Sequence, residues 1–449
     1  MENDLVTCPL FLLSIPGLRE EDLAKMPNLS ALVEKGDQAT LVPSFPAVTW
    51  PVQANMLTGK LPSEHGVVAN GFFWRDENRV EMWTANNEKV LAPQIWDILK
   101  RSRPDIKSAV WFPMLSKGCQ AEYVCMPAPI HNRDGSESLW CYTKPYELYG
   151  DLKEELDHFP LQHFWGPLAN SKSSQWIADS AVLAAEKYKP QFFYIYLTHL
   201  DYAAQKNGPD SPQADQAITE MDTIIGDLIA GMKRVYGDKS LVWIVASEYT
   251  IVPVDHVTYP NKVLRKEGLL SVEIIDKKEH LDFENSAAWA MVDHQFSHVF
   301  VKNSDPQVIK KVIRAFENIE GIEEILDKSA QTRYGVSHEN SGDLVLISTK
   351  NSWQAYYWWL ESDDAPDFAH SVDIHRKPGY DPVELHFDPK TRSIPLDATL
   401  VKGSHGAPSV SPMQQGICVT SKAGVLQGKV IADTDIATAV LAQFGVKEC

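Results

Sequence analysis

The residues whose types could do chemistry begin with Thr49, held in the stretch PSFPAVTWPVQANMLTG, residues 43–59. Proline fixes φ and disfavours helix in the residue before it, so Phe45 and Trp50 are expected to be extended, with a helix starting near Pro51 and running to 58. Thr49 then sits just ahead of that helix, where free backbone N–H groups favour an anion. A rigidly held hydroxyl at such a place is a candidate nucleophile; the plainer reading is a threonine in a stiff loop. Three later segments pair acids with histidines: VDHV (Asp255, His256), VDHQFSH (Asp293, His294, His298) and VDIHRKPGYD (Asp373, His375, Asp381). A helix would put His294 and His298 on one face, as metal ligands or as packing residues. A strand would point Asp373 and His375 the same way. Single Asp/His pairs are commonly hydrogen-bonded structural pairs, so Asp255, His256, Asp373 and His375 form only an alternative site. Arg376 and Lys377 suit an anionic substrate or, more plainly, a solvated loop.

The elements that must position these groups read as an α/β fold. PLFLLSI (9–15), SAVWFPM (108–114), FFYIYLTHL (192–200) and SLVWIVASE (240–248) are short, nearly continuous apolar runs, as in parallel strands covered on both faces. Helical patterns lie between them. MPNLSALVEKG (26–36) ends at a Gly that suits a C-cap. Residues 211–237 place Ile218, Met221, Ile225, Leu228 and Met232 on one face. Alternating strands and helices imply a mostly parallel sheet with helices on both faces and functional groups at the C-terminal ends of strands. Thr198–Asp201 and Ser247–Tyr249 fall at two such ends. From 255 to 390 the text turns polar, aromatic and Pro-containing, which reads as an inserted cap. The core is then 1–254, completed by 391–449 with a final amphipathic helix near 432–444.

Composition limits the function. The chain has 449 residues, 44% apolar and 23% charged, with a net charge of −18 and no run rich in Lys or Arg. A nucleic-acid-binding surface is therefore not expected, and an anionic ligand must be neutralised locally. No apolar stretch approaches a membrane span. The acidic start MENDLVTCPLFLLSIPGL lacks the basic region of a secretory signal. Six cysteines (Cys8, Cys119, Cys125, Cys141, Cys418, Cys449) are scattered without CxxC spacing, so neither a disulfide framework nor a zinc finger is indicated. A reduced, cytoplasmic setting is the expectation; the oligomeric state is left open.

Taken in order, these segments resemble the nucleotide pyrophosphatase/phosphodiesterase branch of the alkaline phosphatase superfamily. The likeness covers residues 9 to about 75, 190–250 and 400–425, and it is densest in FPAVTWPVQANMLTGKLPSEHGVVANGFF. The family pattern there is F-P-x-x-T-x-P, a helix ending T-G, then P-x-x-H-G-I-x-x-N. The resemblance implies an alkaline phosphatase-like core with Thr49 as nucleophile and Asn70 as donor to the phosphoryl oxygen. It also implies two zinc ions held by three Asp and three His, which activate a poor nucleophile and offset charge on the in-line transition state.

Those ligand positions are only partly kept. Where the family has D-G-[LF]-R the chain reads SIPGLR, with Pro16. The D-x-x-x-H pair is DYAAQ, keeping Asp201 but with Gln205 in place of histidine. S-D-H-G becomes SEYT, with Glu248 a carboxylate and Tyr249 in place of histidine. G-S-H-G survives with His405. Catalytic zinc usually takes three protein ligands and an open position. The expectation is a divalent metal, zinc first, at most one per chain and held by Asp201, Glu248 and His405, or none at all.

Three functions follow as candidates. The first is phosphate-ester chemistry on a phosphorylated small molecule, with Thr49, Asn70, His405 and Glu248 catalytic and Asn70, Arg376 and Lys377 contacting substrate. The second is a metal-independent enzyme on the same scaffold, with His405 and Glu248 as acid and base. The third is a non-catalytic protein that keeps the phosphate pocket.

Overall fold

The computed structural model describes residues 8–131, 137–237 and 240–447. Nine strands form the main sheet, in the order Val430–Ala432, Gln38–Val42, Gly416–Thr420, Val242–Ala246, Leu10–Ser14, Phe192–Tyr196, Ser108–Trp111, Tyr123–Pro127 and Cys141–Lys144. All pairs are parallel except those of Gly416–Thr420 with its two neighbours and that of the edge strand Cys141–Lys144. The central strands are buried end to end, which explains their unbroken apolar text. Helices flank the sheet in two packed groups. Ser171–Tyr188 packs on Pro212–Tyr236, while Asp435–Gln443 packs on Thr49–Thr58 and Ile95–Ser102.

Three central strands end together. Ser14 is in register with Tyr196 on one side and Ala246 on the other. The residues that follow each strand, Ile15–Gly17, Thr198–Asp201 and Ser247–Tyr249, therefore emerge at one edge of the sheet. Backbone bonds from Leu197 N–H to the Ser14 carbonyl and from Gly17 N–H to the Tyr249 carbonyl tie them there.

A second, antiparallel sheet orders Ala288–Asp293, Phe296–Val301, Leu344–Ser348 and Ile322–Leu326. Its apolar cluster includes the fully buried Trp353, Trp358 and Trp359 and reaches Phe45, Val48 and Val68 of the first part of the chain. The aromatic text of 352–359 thus belongs to a second core. Two local expectations change. His294 and His298 do not share a helix: Asp293 pairs with Phe296 across a tight hairpin, His294 sits at its tip with φ +59°, and His298 lies in the strand beyond. The polar tip and the β-branched text on either side favour a hairpin over a helix. Asp373 and His375 lie in a turn rather than a strand, where the Asp373 carboxylate accepts from the Arg376 N–H. Among the described residues no helix is long and apolar enough to cross a membrane.

Candidate active site

Thr49 is the first residue of a helix, Thr49–Thr58, in which every residue is buried. The helix begins two residues before Pro51, so Trp50 is helical instead of extended. In the first turn the restraint from a following proline is tolerated, because proline forfeits an N–H that has no partner there. Gly59, at φ +69°, ends the helix in the left-handed region. The Trp50 N–H donates to Asn70 Oδ1 at 2.9 Å, so Asn70 is brought to the start of the Thr49 helix. Asn70 is held on its other side by the hairpin: its backbone N–H and its side-chain Nδ2 donate to the two Asp293 carboxylate oxygens at 2.8 and 3.1 Å.

The strand-end residues converge on Thr49. Its Oγ1 is 2.9 Å from the Tyr249 hydroxyl. Gln205 Nε2 donates to Asp201 Oδ1 and Gln205 Oε1 accepts from the Tyr380 hydroxyl, each at 2.9 Å. Glu248 Oε1 accepts from Ser14 Oγ at 2.6 Å and from Gln53 Nε2 at 2.8 Å. His405 lies between rings, stacked on Tyr249 at 3.7 Å and beside His294 at 3.8 Å, and His294 in turn stacks on Tyr380. Gly406 makes this approach possible: a Cβ there would meet Val48 at 3.2 Å and the hairpin at Gln295 and His294.

Burial sets the protonation. It pushes the Glu248 carboxyl up to about 8, against the lowering bonds from Ser14 and Gln53. It pushes Asp201 up to about 7, opposed by Gln205 and Tyr249, and Asp293 up to about 6, opposed chiefly by Asn70. Burial also drives His294 and His405 well below the ordinary histidine range, so both rings are neutral. The Ala47 carbonyl can only accept, so His405 donates its Nδ1–H to it at 2.8 Å. His405 Nε2 then carries a lone pair; it is buried, lacks a hydrogen-bond partner and lies 4.0 Å from Asp201 Oδ1. Among the described residues no lysine or arginine is bonded to Thr49, Asn70, Asp201, Glu248, Asp293 or His405.

The donor set does not fit two zinc ions. Pro16 offers no ligand atom, and the Gln205 amide and Tyr249 phenol are engaged within the cluster. Among the described residues no group of three or more His, Cys, Asp or Glu side chains is arranged to hold a metal ion. For a single ion, Asp201 and His405 are the nearest pair, and the imidazole is fixed on a carbonyl as a metal-bound histidine would be. The third expected ligand, Glu248, has its Oε1 engaged by Ser14 and Gln53, while catalytic zinc usually takes three protein ligands.

The remaining expected residues lie in other settings. Asp255 accepts from Asn351, and His256 bonds the Glu320 carbonyl. His375 bonds the Met82 carbonyl. Arg376 is exposed, paired with Asp373 at 3.4 Å and lying over the Phe368 ring. Lys377 is fully buried, with Nζ 2.9 Å from Asp381, 2.6 Å from Glu384 and 2.9 Å from the Ser371 carbonyl, so its charge is balanced inside the protein. His298 is fixed between the Val68 carbonyl and the Gly342 N–H. Tyr249, placed by the sequence at a strand end, and the Asp293–His294 pair, noted as possible ligands, join the site; Tyr380 joins it without having been expected. The adjacent acid and histidine of VDHQFSH were a visible signal, whereas Tyr380 had none.

A sequence profile of the type I phosphodiesterase / nucleotide pyrophosphatase family matches residues 10–381. An uncharacterised pyrophosphatase/phosphodiesterase of Schizosaccharomyces pombe is 26% identical over 275 residues, covering 60% of this chain and 49% of that protein. Ectonucleotide pyrophosphatase/phosphodiesterase 2 of Saccharomyces cerevisiae is 28% identical over 198 residues, covering 43% and 35%. The chain thus spans half or less of the length of these curated relatives. Among solved structures, an inactive variant of murine ectonucleotide pyrophosphatase/phosphodiesterase 5 in complex with AMP aligns with a TM-score of 0.63 at 14% identity, over 98% of this chain and 95% of that one. Phosphonoacetate hydrolase of Sinorhizobium meliloti in complex with phosphonoacetate gives 0.63 at 15%, over 97% and 96%.

Proposed function

Because the chain belongs to the type I phosphodiesterase / nucleotide pyrophosphatase family, we propose that it acts on the phosphate ester of a small molecule, with Thr49 as nucleophile and without the paired zinc ions. One observation carries this reading: the Thr49 hydroxyl stands at the N-terminus of a buried helix, at the shared strand ends, hydrogen-bonded into a cluster of acid and base groups. Helix N–H groups there favour a phosphoryl anion. Asn70, at the same helix start, would donate to the phosphoryl oxygen once its amide parts from Asp293. Glu248 keeps a proton and His405 lacks one, which is the split of roles that acid–base chemistry requires. Residues 255–390 act as the cap, and the hairpin tip at His294 must withdraw for a substrate to reach Thr49. Two structural relatives were solved with AMP and phosphonoacetate, which makes small phosphorylated or phosphonate compounds the class to test. The cytoplasmic setting belongs to the same proposal; the five described cysteines are free thiols.

A second reading has its own observation. Thr49 and His405 are almost wholly buried, and among the described residues no lysine or arginine is bonded to the three carboxyl groups around them. A protein that keeps the fold and binds without turnover would look like this. Turnover of bis-p-nitrophenyl phosphate and p-nitrophenyl phosphate by the wild type and by Thr49→Ala separates the two. Loss of activity in Thr49→Ala supports the enzyme; equal, absent turnover with retained AMP binding supports the non-catalytic protein.

A further inference from the structure

We propose that the Asp293 carboxylate is a built-in competitor for the phosphate site, holding it shut until the hairpin tip lifts away from Asn70. The proposal rests on the reading of Asn70 as donor to a phosphoryl oxygen. Asn70 turns both its backbone and its side-chain nitrogen to this one carboxylate: the backbone N–H meets Asp293 Oδ2 at 2.8 Å, and Nδ2 meets Oδ1 at 3.1 Å. The amide is held in this orientation, because its Oδ1 accepts the Trp50 N–H at 2.9 Å. The Nδ2 group assigned to a phosphoryl oxygen therefore already serves an acidic oxygen, and the protein itself supplies it.

A carboxylate is poorly suited to a lasting orienting role at this place. A phosphoryl oxygen on the same amide would lie beside it, and like charges sharing one site disfavour each other. Among the described residues no lysine or arginine is bonded to Asp293 to offset that repulsion. Its Oδ1 also accepts from His294 Nδ1, at 2.6 Å. A neutral carbonyl would orient Asn70 equally well without repelling the ligand. Asp293 and a phosphoryl group are thus alternatives on Asn70, and one must leave before the other binds.

The carboxylate also sits where the chain can carry it away. Asp293 closes a hairpin opposite Phe296, and His294 at the tip has φ +59°, a conformation that costs a residue other than glycine. Within the cap, Gln354 N–H donates to the His294 carbonyl and Ser348 N–H to the Gln295 carbonyl, each at 2.8 Å. Toward the core, Gln295 N–H donates to the His405 carbonyl at 3.0 Å, and the His294 ring lies 3.8 Å from that of His405. Opening breaks these core-side contacts together with the two bonds to Asn70. His298, bonded to the Val68 carbonyl at 3.0 Å, keeps the strand beyond the tip in place.

The test uses the full chain, with AMP and inorganic phosphate titrated by calorimetry and residues 291–297 followed by hydrogen exchange. A site that is open a tenth of the time or less binds about ten-fold or more weakly than one that is always open. Asp293→Ala, and Asp293→Asn, which keeps the size, are therefore expected to bind both probes about ten-fold or more tightly than the wild type. Adding Asn70→Ala to Asp293→Ala should remove the gain. In the wild type, saturating AMP is expected to speed exchange across 291–297. Unchanged affinity in both Asp293 variants, with binding still lost in Asn70→Ala, overturns the competitor and leaves the phosphate site standing. Weaker binding by variants that circular dichroism shows to be folded overturns it too, since Asp293 then orients Asn70. Tighter binding with no change in exchange overturns the moving tip and leaves only an effect of charge. Full affinity in Asn70→Ala overturns the reading of the site, and no binding by any form overturns both. If neither Asp293 variant folds, the wild type decides: exchange across 291–297 that AMP leaves unchanged or slows overturns the proposal.

Discussion

Lys377 offers a clean separation of structural from binding roles. As an exposed cation beside His375 it would hold an anionic substrate, and its loss would raise KM at constant stability. The structure instead buries it completely between Asp381 and Glu384, with a third bond to the Ser371 carbonyl. Lys377→Met keeps the length of the side chain and removes the charge. Two buried carboxylates are then left facing each other, and breaking a buried pair by deleting one partner costs about 3–5 kcal/mol. Unfolding entropy of about 2.1 cal/mol/K per residue gives roughly 0.9 kcal/mol/K for this chain, so the melting temperature should fall by about 3–5 °C. Differential scanning calorimetry and urea titration at pH 7.5 measure it. Adding Glu384→Gln removes one of the stranded charges and should recover part of the loss. A Lys377→Met protein that melts within about 1 °C of the wild type would refute the reasoning, and a KM rise alone would restore the substrate-binding role.

Three further outcomes follow. Restoring Asp, His and His together at positions 16, 205 and 249 should create zinc binding measurable by calorimetry and elemental analysis, whereas any one of them alone should not, since each metal still lacks ligands. His65 donates Nε2–H to Asn55 and accepts the Val67 N–H at Nδ1, and burial, with His338 nearby, lowers it to about 3; the stability this gives is present above pH 6.5 and is lost as pH falls toward 3. Between pH 7 and 5 the wild type should therefore lose about 2 kcal/mol more than His65→Gln in urea titrations. Gly406→Ala should destabilise by about 1–3 kcal/mol, because φ is +110° and the new Cβ meets Val48 and the hairpin backbone.

How much of this was legible depended on the range of the interaction. The central strands and the long helix at 212–236 follow from local apolar pattern, because both are buried over their whole length or along one face. The meeting of Thr49 with Asn70 was also readable, through the ordered Pro, Gly and His landmarks of the resemblance. The turn at Asp373–Lys377 was not, since an alternating text of four residues fits a strand and a turn alike. Lys377 misled for a related reason: its partners, Asp381 and Glu384, are close in sequence, but only the turn brings them inward. The hairpin contribution could not be read locally, because Asp293 reaches Asn70 across 223 positions.

Carboxylates buried without counter-charge are strongly destabilising. Each acid of the cluster is met by hydrogen-bond donors of the protein itself. Glu248 retains its proton and accepts from Ser14 and Gln53. Asp201 accepts from Gln205 Nε2. Asp293 accepts from Asn70 and from His294 at 2.6 Å. If the resemblance places histidines at positions 205 and 249, the Gln205 amide supplies a donor hydrogen to Asp201 where an imidazole nitrogen would offer a lone pair to zinc. Reverting Gln205 alone would leave Asp201 short of that donor without completing a metal site, which is why the three restorations are expected to succeed only together.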